Sequence, residues 1–302
     1  MSRIAVLGPG GVGGFVAAAL ARAGERVIVV AHEQTAAIIE RDGIHVQSVR
    51  LGEFSATPAA SPTLQQPVDA LIVATKATTL TRALERIQTD PPLVVPLLNG
   101  LDHIGVLRGR FGAERVAAGT IRIDSARTAP GEIVQSSPFL RVDLAADSGA
   151  LDAALKHFAA TLERAGIPAE IGSSEVQILW SKLVRLNALA CTTSATGRAV
   201  GFIRSDPEWR AALEACIVEG AAVARAEGAD VDARARIAEL DEAHAELESS
   251  MQQDIAAGRE PELDAIPGAV LRAAQRHGLQ CPTIERLRAE IAARIDAGRK
   301  TA

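Results

Sequence analysis

The stretch RIAVLGPGGVGGFVAAALARAGERVIVVA, residues 3–31, decides the fold. Arg3–Gly8 is a short β-rich run ending on glycine. Val12–Ala23 has the composition of a helix, and Gly24 closes it, as glycine does at helix ends. Arg26–Ala31 is a second apolar run of strand length. Between the first strand and the helix, Gly8, Gly10 and Gly13 spell GxGxxG, with Gly11 a fourth glycine inside the same loop. That pattern is weak alone. Directly after a strand and opening a helix, within a βαβ unit, it has the context of a dinucleotide-binding loop. Gly8 would make the tight turn. Gly10 would let the backbone approach a pyrophosphate, and Gly13 would let helix and strand pack closely. The helix N-terminus offers N–H groups and a positive dipole end to an anion. Gly8, Gly10, Gly11 and Gly13 are therefore cofactor-binding candidates. The competing reading is a glycine-rich turn with no ligand.

Outward from this unit, strand and helix keep alternating. Ala70–Lys76 and Leu93–Asn99 are apolar runs of strand length, with a helix over about 79–88 between them. Such runs lack polar alternation and fit strands buried on both faces of a parallel sheet. From Val116 to Ala145 the strand-like pieces VAAGTIRIDSAR, GEIVQSS and FLRVDLA are joined by turn residues, and predict an antiparallel extension of the sheet. A helix over Leu151–Ala165 and a last strand over Pro168–Ile171 follow. Beyond Ser174 the chain is alanine-rich and helical over Glu175–Ala195, Pro207–Glu227, Ala233–Ala257 and Leu263–His277. Trp209, Ala212, Leu213, Cys216, Ile217, Gly220 and Ala224 share one helical face, the pattern of a core stripe. The expected fold is α/β: a Rossmann-type dinucleotide-binding domain over residues 1–172, followed by an all-α substrate domain over 173–302.

Composition narrows the functions. Of 302 residues, 48% are hydrophobic and 23% charged, enough for large cores. The net charge of −5 gives no electrostatic footprint for nucleic acid, and 3% aromatic residues with no tyrosine give no base-stacking platform. Cys191, Cys216 and Cys281 are widely spaced with no CxxC, which reads as reduced cytoplasmic thiols and supports no metal site. GPGGVGG interrupts the apolar N-terminus, so a signal peptide is not expected, and neither is a membrane-spanning helix.

The type of dinucleotide turns on the end of the second strand. An acid about 20 residues after the fingerprint would grip a ribose diol and favour NADH. Glu33 has that spacing but lies past the strand end, where a solvated loop acid is the alternative. An arginine would favour the 2′-phosphate of NADPH. The turn itself contains none, and His32 is the nearest substitute. Lys76 and Asn99 end two further strands, on the side where open α/β sheets bind ligands. Lys76 would meet an anion and Asn99 would hydrogen-bond a carboxylate, ribose or nicotinamide. A loop lysine and an Asn-Gly turn are the plainer alternatives.

GPGGVG, TKA at Thr75–Ala77, LLNG at Leu97–Gly100, APGEIV at Ala129–Val134, LWSKL at Leu179–Leu183 and SSMQQDI with ELD between Ser249 and Asp264 occur in one order along nearly the whole chain. Together they resemble the ketopantoate reductase (2-dehydropantoate 2-reductase) family. The resemblance implies an NADPH-dependent reductase of a small-molecule 2-oxo acid, with NADH possible, in pantothenate biosynthesis. It implies that substrate and cofactor meet in the cleft between the two domains. Lys182 matches the family's catalytic lysine and Glu262 its active-site glutamate. Ser250 matches a serine on the substrate carboxylate, and Asn99 and Lys76 match cleft residues. The chemistry suits these types: hydride attack leaves charge on oxygen, which an ammonium stabilises and protonates. Glu262 is expected where one helix ends and the next begins.

Two departures stand out. The family carries asparagines four and eight residues after the lysine, about 40° and 80° round a helix from it. Here they are Leu186 and Ala190, while Asn187 is about 140° round and should point away. His32 stands near the family's frequent arginine. Competing readings are a relative acting on a more apolar 2-oxo acid, a non-catalytic dinucleotide-binding protein, and a hydroxyacid dehydrogenase of the 6-phosphogluconate type. The last would need a glycine-rich loop near residue 120, which Gly119-Thr-Ile-Arg-Ile does not supply. The expected assembly is a monomer or homodimer.

Overall fold

In the computed structural model, residues 1–301 are described, the side chains of 299–301 excepted. The chain divides into two compact units. The first comprises residues 1–98 and 102–178, the second residues 99–101 and 179–302.

The first unit is built on β1 (Arg3–Leu7), α1 (Gly11–Arg22) and β2 (Arg26–Val30). After α2 (Glu33–Asp42) come β3 (Ile44–Ser48), β4 (Gly52–Ala56), β5 (Ala59–Ser61) and β6 (Ala70–Val73). Next are α3 (Leu80–Leu84), β7 (Val94–Pro96) and α4 (His103–Phe111). The unit continues with β8 (Ala118–Arg122), β9 (Ser125–Ala129), β10 (Glu132–Gln135), β11 (Arg141–Ala145), α5 (Asp152–Arg164) and β12 (Ala169–Ile171). A five-stranded sheet has the order β5-β2-β1-β6-β7, parallel throughout. Its side chains alternate between two cores. Ile4, Val6, Val27, Val29, Ala70 and Ile72 enter one, and Ala5, Leu7, Ile28, Val30, Leu71 and Val73 enter the other. Burial on both faces is why these strands read as unbroken apolar runs.

The strands after Val116 do not extend this sheet as expected. β9 and β10 join β3 and β4 in the order β4-β3-β10-β9, while β8, β11 and β12 form a third sheet in the order β12-β11-β8. The cause lies in α1, which is buried from Gly13 to Leu20 without a solvent face. A helix that is apolar all round needs cover on both sides. β3, β4, β9 and β10 supply the second cover.

The helix expected over 79–88 ends at Leu84. Residues 86–88 instead pair with Leu64: Leu64 N–H donates to the Arg86 carbonyl and Gln88 N–H to the Leu64 carbonyl, each at 2.8 Å. This turn fixes the backbone of Arg86.

The second unit is helical. It takes most of α6 (Glu175–Thr196), then α7 (Val200–Ser205), α8 (Pro207–Ala226), α9 (Ala233–Asp241) and α10 (Ser250–Ala256). A π-helical turn (Asp264–Gly268), α11 (Ala269–Arg276) and α12 (Pro282–Thr301) complete it. From Asn187 to Ser194 every residue of α6 is buried, so this is the core helix of the unit. The α8 stripe is buried as expected except Trp209, which is half-buried. No helix among the described residues is long and apolar enough to cross a membrane.

The single helix expected over Ala233–Ala257 is two. Arg204 donates to the carbonyls of Leu240 and Ala243 and so closes α9. The N–H groups of Val200 and Gly201 donate to the carbonyls of Leu247 and Ala245, so these carbonyls face α7 rather than the next turn of a continuous helix. Ser249 then caps α10, its hydroxyl accepting from Gln252 N–H at 3.1 Å and pairing with Thr193 at 2.8 Å. Ser249 is buried whereas Ser250 is exposed. Chemical denaturation should therefore show a loss of about 1–2 kcal/mol for Ser249→Ala and about 0.5 kcal/mol or less for Ser250→Ala. Equal losses would contradict this division of the two serines.

Candidate active site

The first group of candidates lies at the carboxyl ends of β1 and β6, where strand order reverses. Gly8 takes φ +90°, and its N–H donates to the Val30 carbonyl at 3.1 Å. A Cβ on Gly13 would stand 2.2 Å from the Gly8 carbonyl oxygen, so the close packing of helix on strand requires glycine there. Gly11 answers to a different neighbour. A Cβ on it would stand 1.9 Å from the Ser125 carbonyl oxygen, and Ser125 Oγ donates to the Gly11 carbonyl. This glycine lets β9 lie against the loop. At Gly10 a Cβ would meet nothing within 4 Å. It is the N-cap of α1 and no side chain caps the first turn, whose N–H groups have no acceptor within the helix. Beside Gly8, the buried Thr75 Oγ1 has no hydrogen-bond partner. An open backbone face, first-turn N–H groups and a buried hydroxyl without a partner fit a pyrophosphate.

Lys76 follows Thr75, three residues beyond the end of β6. It is half-buried, and its carbonyl accepts from Thr79 N–H. His32 is the exposed N-cap of α2 and Glu33 its first residue. The turn does have an arginine, brought from elsewhere in the chain. Arg86 Nη2 lies 2.8 Å from His32 Nδ1, and Arg86 Nη1 donates to Glu33 Oε1 at 3.2 Å. The Glu33 carboxyl is held below the usual carboxylate range, first by its own backbone N–H and then by this guanidinium. The expectation of a turn without arginine is thereby corrected, since contiguous sequence does not reveal a partner 54 positions away.

The second group is in the helical unit. Lys182 Nζ donates to Asn99 Oδ1 at 2.9 Å, and Asn99 Nδ2 donates to Glu262 Oε2 at 2.9 Å. Lysine can only donate and ionised glutamate can only accept, so the two together fix which way the Asn99 amide faces. Glu262 is buried, while Lys182 and Asn99 are half-buried. Asn99 reaches this group through Gly100, whose φ is +86° and whose Cβ would stand 2.2 Å from the Ala265 carbonyl oxygen. Glu262 lies between α10 and the π-helical turn, as expected. Ser250 opens α10, with no hydrogen bond to Lys182, Asn99 or Glu262 among those described. Asn187 is fully buried, accepts from Cys191 Sγ at 3.5 Å, and leaves its Nδ2 without a partner. Leu186 is half-buried and Ala190 buried. All three thiols are free, and burial pushes Cys191 up to about 12 and Cys281 up to about 11. They are poor nucleophiles near neutral pH.

Residues 4–145 match the model of the family described as ketopantoate reductase PanE/ApbA, and residues 176–294 match the model of its C-terminal domain. The chain belongs to the ketopantoate reductase family. Among its relatives is a 2-dehydropantoate 2-reductase of Mycobacterium tuberculosis (strain H37Rv), 33% identical over 300 residues, covering 97% of this chain and 98% of that one. One from Halobacterium salinarum is 29% identical over 295 residues, covering 94% and 96%. The structure of a D-mandelate dehydrogenase with NADH and anilino(oxo)acetate shares the fold, with TM-score 0.89, 22% identity, and 98% and 99% of the two chains covered. As a ketopantoate reductase family member, the chain is an NAD(P)H-dependent oxidoreductase acting on a CH–OH group.

The sequence reading missed Thr75, Gly100 and Arg86 as contributors. Thr75 and Gly100 lie inside the TKA and LLNG motifs. Arg86 carries no local signal.

The glycines make separable predictions. Gly13→Ala should cost about 1–3 kcal/mol of stability through overpacking. Gly10→Ala should cost about 1 kcal/mol or less yet weaken NADPH binding, because its methyl would occupy the open face. Thermal melts alongside nucleotide fluorescence titrations check both. A Gly10 variant that binds as wild type would contradict the loop's role.

Proposed function

We propose that the protein reduces 2-dehydropantoate, or a close 2-oxo acid, to the 2-hydroxy acid with NADPH, Lys182 acting as general acid. The observation that carries this reading is the chain of hydrogen bonds Lys182–Asn99–Glu262. Bound NADPH supplies the hydride. Gly8, Gly10, Gly13 and Thr75 would hold its pyrophosphate, with Lys76 beside them.

As the carbonyl carbon gains hydride, its oxygen gains charge. The Lys182 ammonium stabilises that charge and gives the oxygen a proton. The lysine is left neutral and recovers a proton from water. Asn99 Oδ1 holds the ammonium in place before the reaction. Glu262 holds Asn99, and its carboxylate accepts from a substrate hydroxyl. Ser250, exposed at the start of α10, donates to the substrate carboxylate. It sits in the first turn, where backbone N–H groups also favour an anion.

A second reading concerns the substrate tail. Leu186 and Ala190 replace two amides, and Asn187 is committed to the core with Cys191. A site that loses such amides loses selectivity for a hydroxylated tail. This favours a more apolar 2-oxo acid.

Lys182→Ala should lower kcat about 10² to 10⁴-fold while leaving NADPH affinity unchanged. Ser250→Ala should raise KM for the 2-oxo acid with kcat nearly kept. Steady-state rates on 2-dehydropantoate and on 2-oxo acids with apolar tails, together with nucleotide titrations, check these outcomes. A Lys182→Ala enzyme as fast as wild type would remove the lysine from the chemistry. Faster reduction of the apolar acids than of 2-dehydropantoate would select the second reading.

A further inference from the structure

β2 ends at Val30, and the next three residues, Ala31, His32 and Glu33, lie where a nucleotide-binding fold meets the adenosine ribose. Arg86 gathers all three. Its Nη1 donates to the Ala31 carbonyl at 3.2 Å, the Pro62 carbonyl at 3.0 Å and Glu33 Oε1 at 3.2 Å. Its Nη2 lies 2.8 Å from His32 Nδ1. A guanidinium only donates, so His32 Nδ1 accepts, and the proton of the neutral ring sits on Nε2. The result is a fixed cation beside an imidazole whose remaining N–H is available as a donor.

Exposure separates the two charged partners. The Arg86 side chain is 19% exposed and tied to two backbone carbonyls, and its own backbone pairs with Leu64. The Glu33 side chain is 73% exposed. Glu33 is 20 positions beyond Gly13, where a diol-binding acid would be expected. It cannot satisfy a diol fully while paired with Arg86. A 2′-phosphate carries more charge than a carboxylate and suits the planar guanidinium, and it can displace the exposed Glu33 without moving Arg86.

We infer that Arg86, supplied by the segment between α3 and β7, sets the preference for NADPH over NADH, with His32 as a second donor to the 2′-phosphate and Glu33 as the anion that the phosphate displaces. This inference rests on the dinucleotide-binding reading of the glycine loop and extends it to the choice of nucleotide.

The test is binding, read by nucleotide fluorescence and calorimetry without substrate. Wild type, Arg86→Met, Arg86→Lys and Glu33→Gln would be titrated with NADPH, NADH, adenosine 2′,5′-bisphosphate and ADP. Wild type should prefer NADPH. Arg86→Met should lose about 10- to 100-fold for NADPH and for the 2′,5′-bisphosphate, with NADH and ADP unchanged. Arg86→Lys should fall between. Glu33→Gln should tighten NADPH and leave NADH unchanged, which keeps the test decisive if Arg86→Met fails to fold. Wild type binding both nucleotides equally, an equal loss of both in Arg86→Met, or a loss of NADH in Glu33→Gln would each overturn the inference while leaving the dinucleotide reading intact. Binding of neither nucleotide by folded wild type would overturn both.

Discussion

The amide of Asn99 is the interaction on which the group of Lys182, Asn99 and Glu262 depends. It accepts from a cation through Oδ1 and donates to a carboxylate through Nδ2, each at 2.9 Å, because an amide carries its acceptor and its donors on separate atoms. Hydrogen bonds to charged groups are each worth about 1.5–3 kcal/mol. The pair fixes the lysine's position and the asparagine's orientation together. Gly100 makes this possible, because only a residue without Cβ accepts both the positive φ and the approach of the Ala265 carbonyl. Three residues, 99–101, are thereby counted with the helical unit although the chain on either side of them belongs to the other.

The glycine loop obeys the same logic of close approach, with each glycine answering to a different neighbour. Gly13 meets the carbonyl of Gly8, Gly11 meets β9, and Gly10 faces open space. Two are needed for the protein to pack. The third has no neighbour that a Cβ would meet, so its backbone face is open. One motif therefore combines packing glycines with an open one.

Much of this was legible in the sequence. Period and burial agree in β1, β2 and β6, because strands covered on both faces leave a continuous apolar signature. Lys182, Asn99 and Glu262 were marked by motif, and the structure brings those three together. What was not legible depends on contacts between distant residues. α12 begins where the Glu219 carboxylate accepts from Thr283 and Ile284 N–H, a cap supplied from α8. The break between α9 and α10 depends on Arg204 and on the N–H groups of α7. The strands β3 to β5 are short and partly polar, and two of them exist to cover α1. Arg86 meets His32 across 54 positions. Local pattern carries no information about any of these partners.

Lys182 and Glu262 both hydrogen-bond Asn99, which is thereby placed to transmit the effect of Glu262 to the lysine. The most direct test is a double-mutant cycle on kcat for Asn99→Ala and Glu262→Gln, measured with NADPH and substrate saturating. If Asn99 is the link, the double variant should lose little more than the worse of the two single variants. Losses in kcat that multiply, as for independent residues, would contradict the claim.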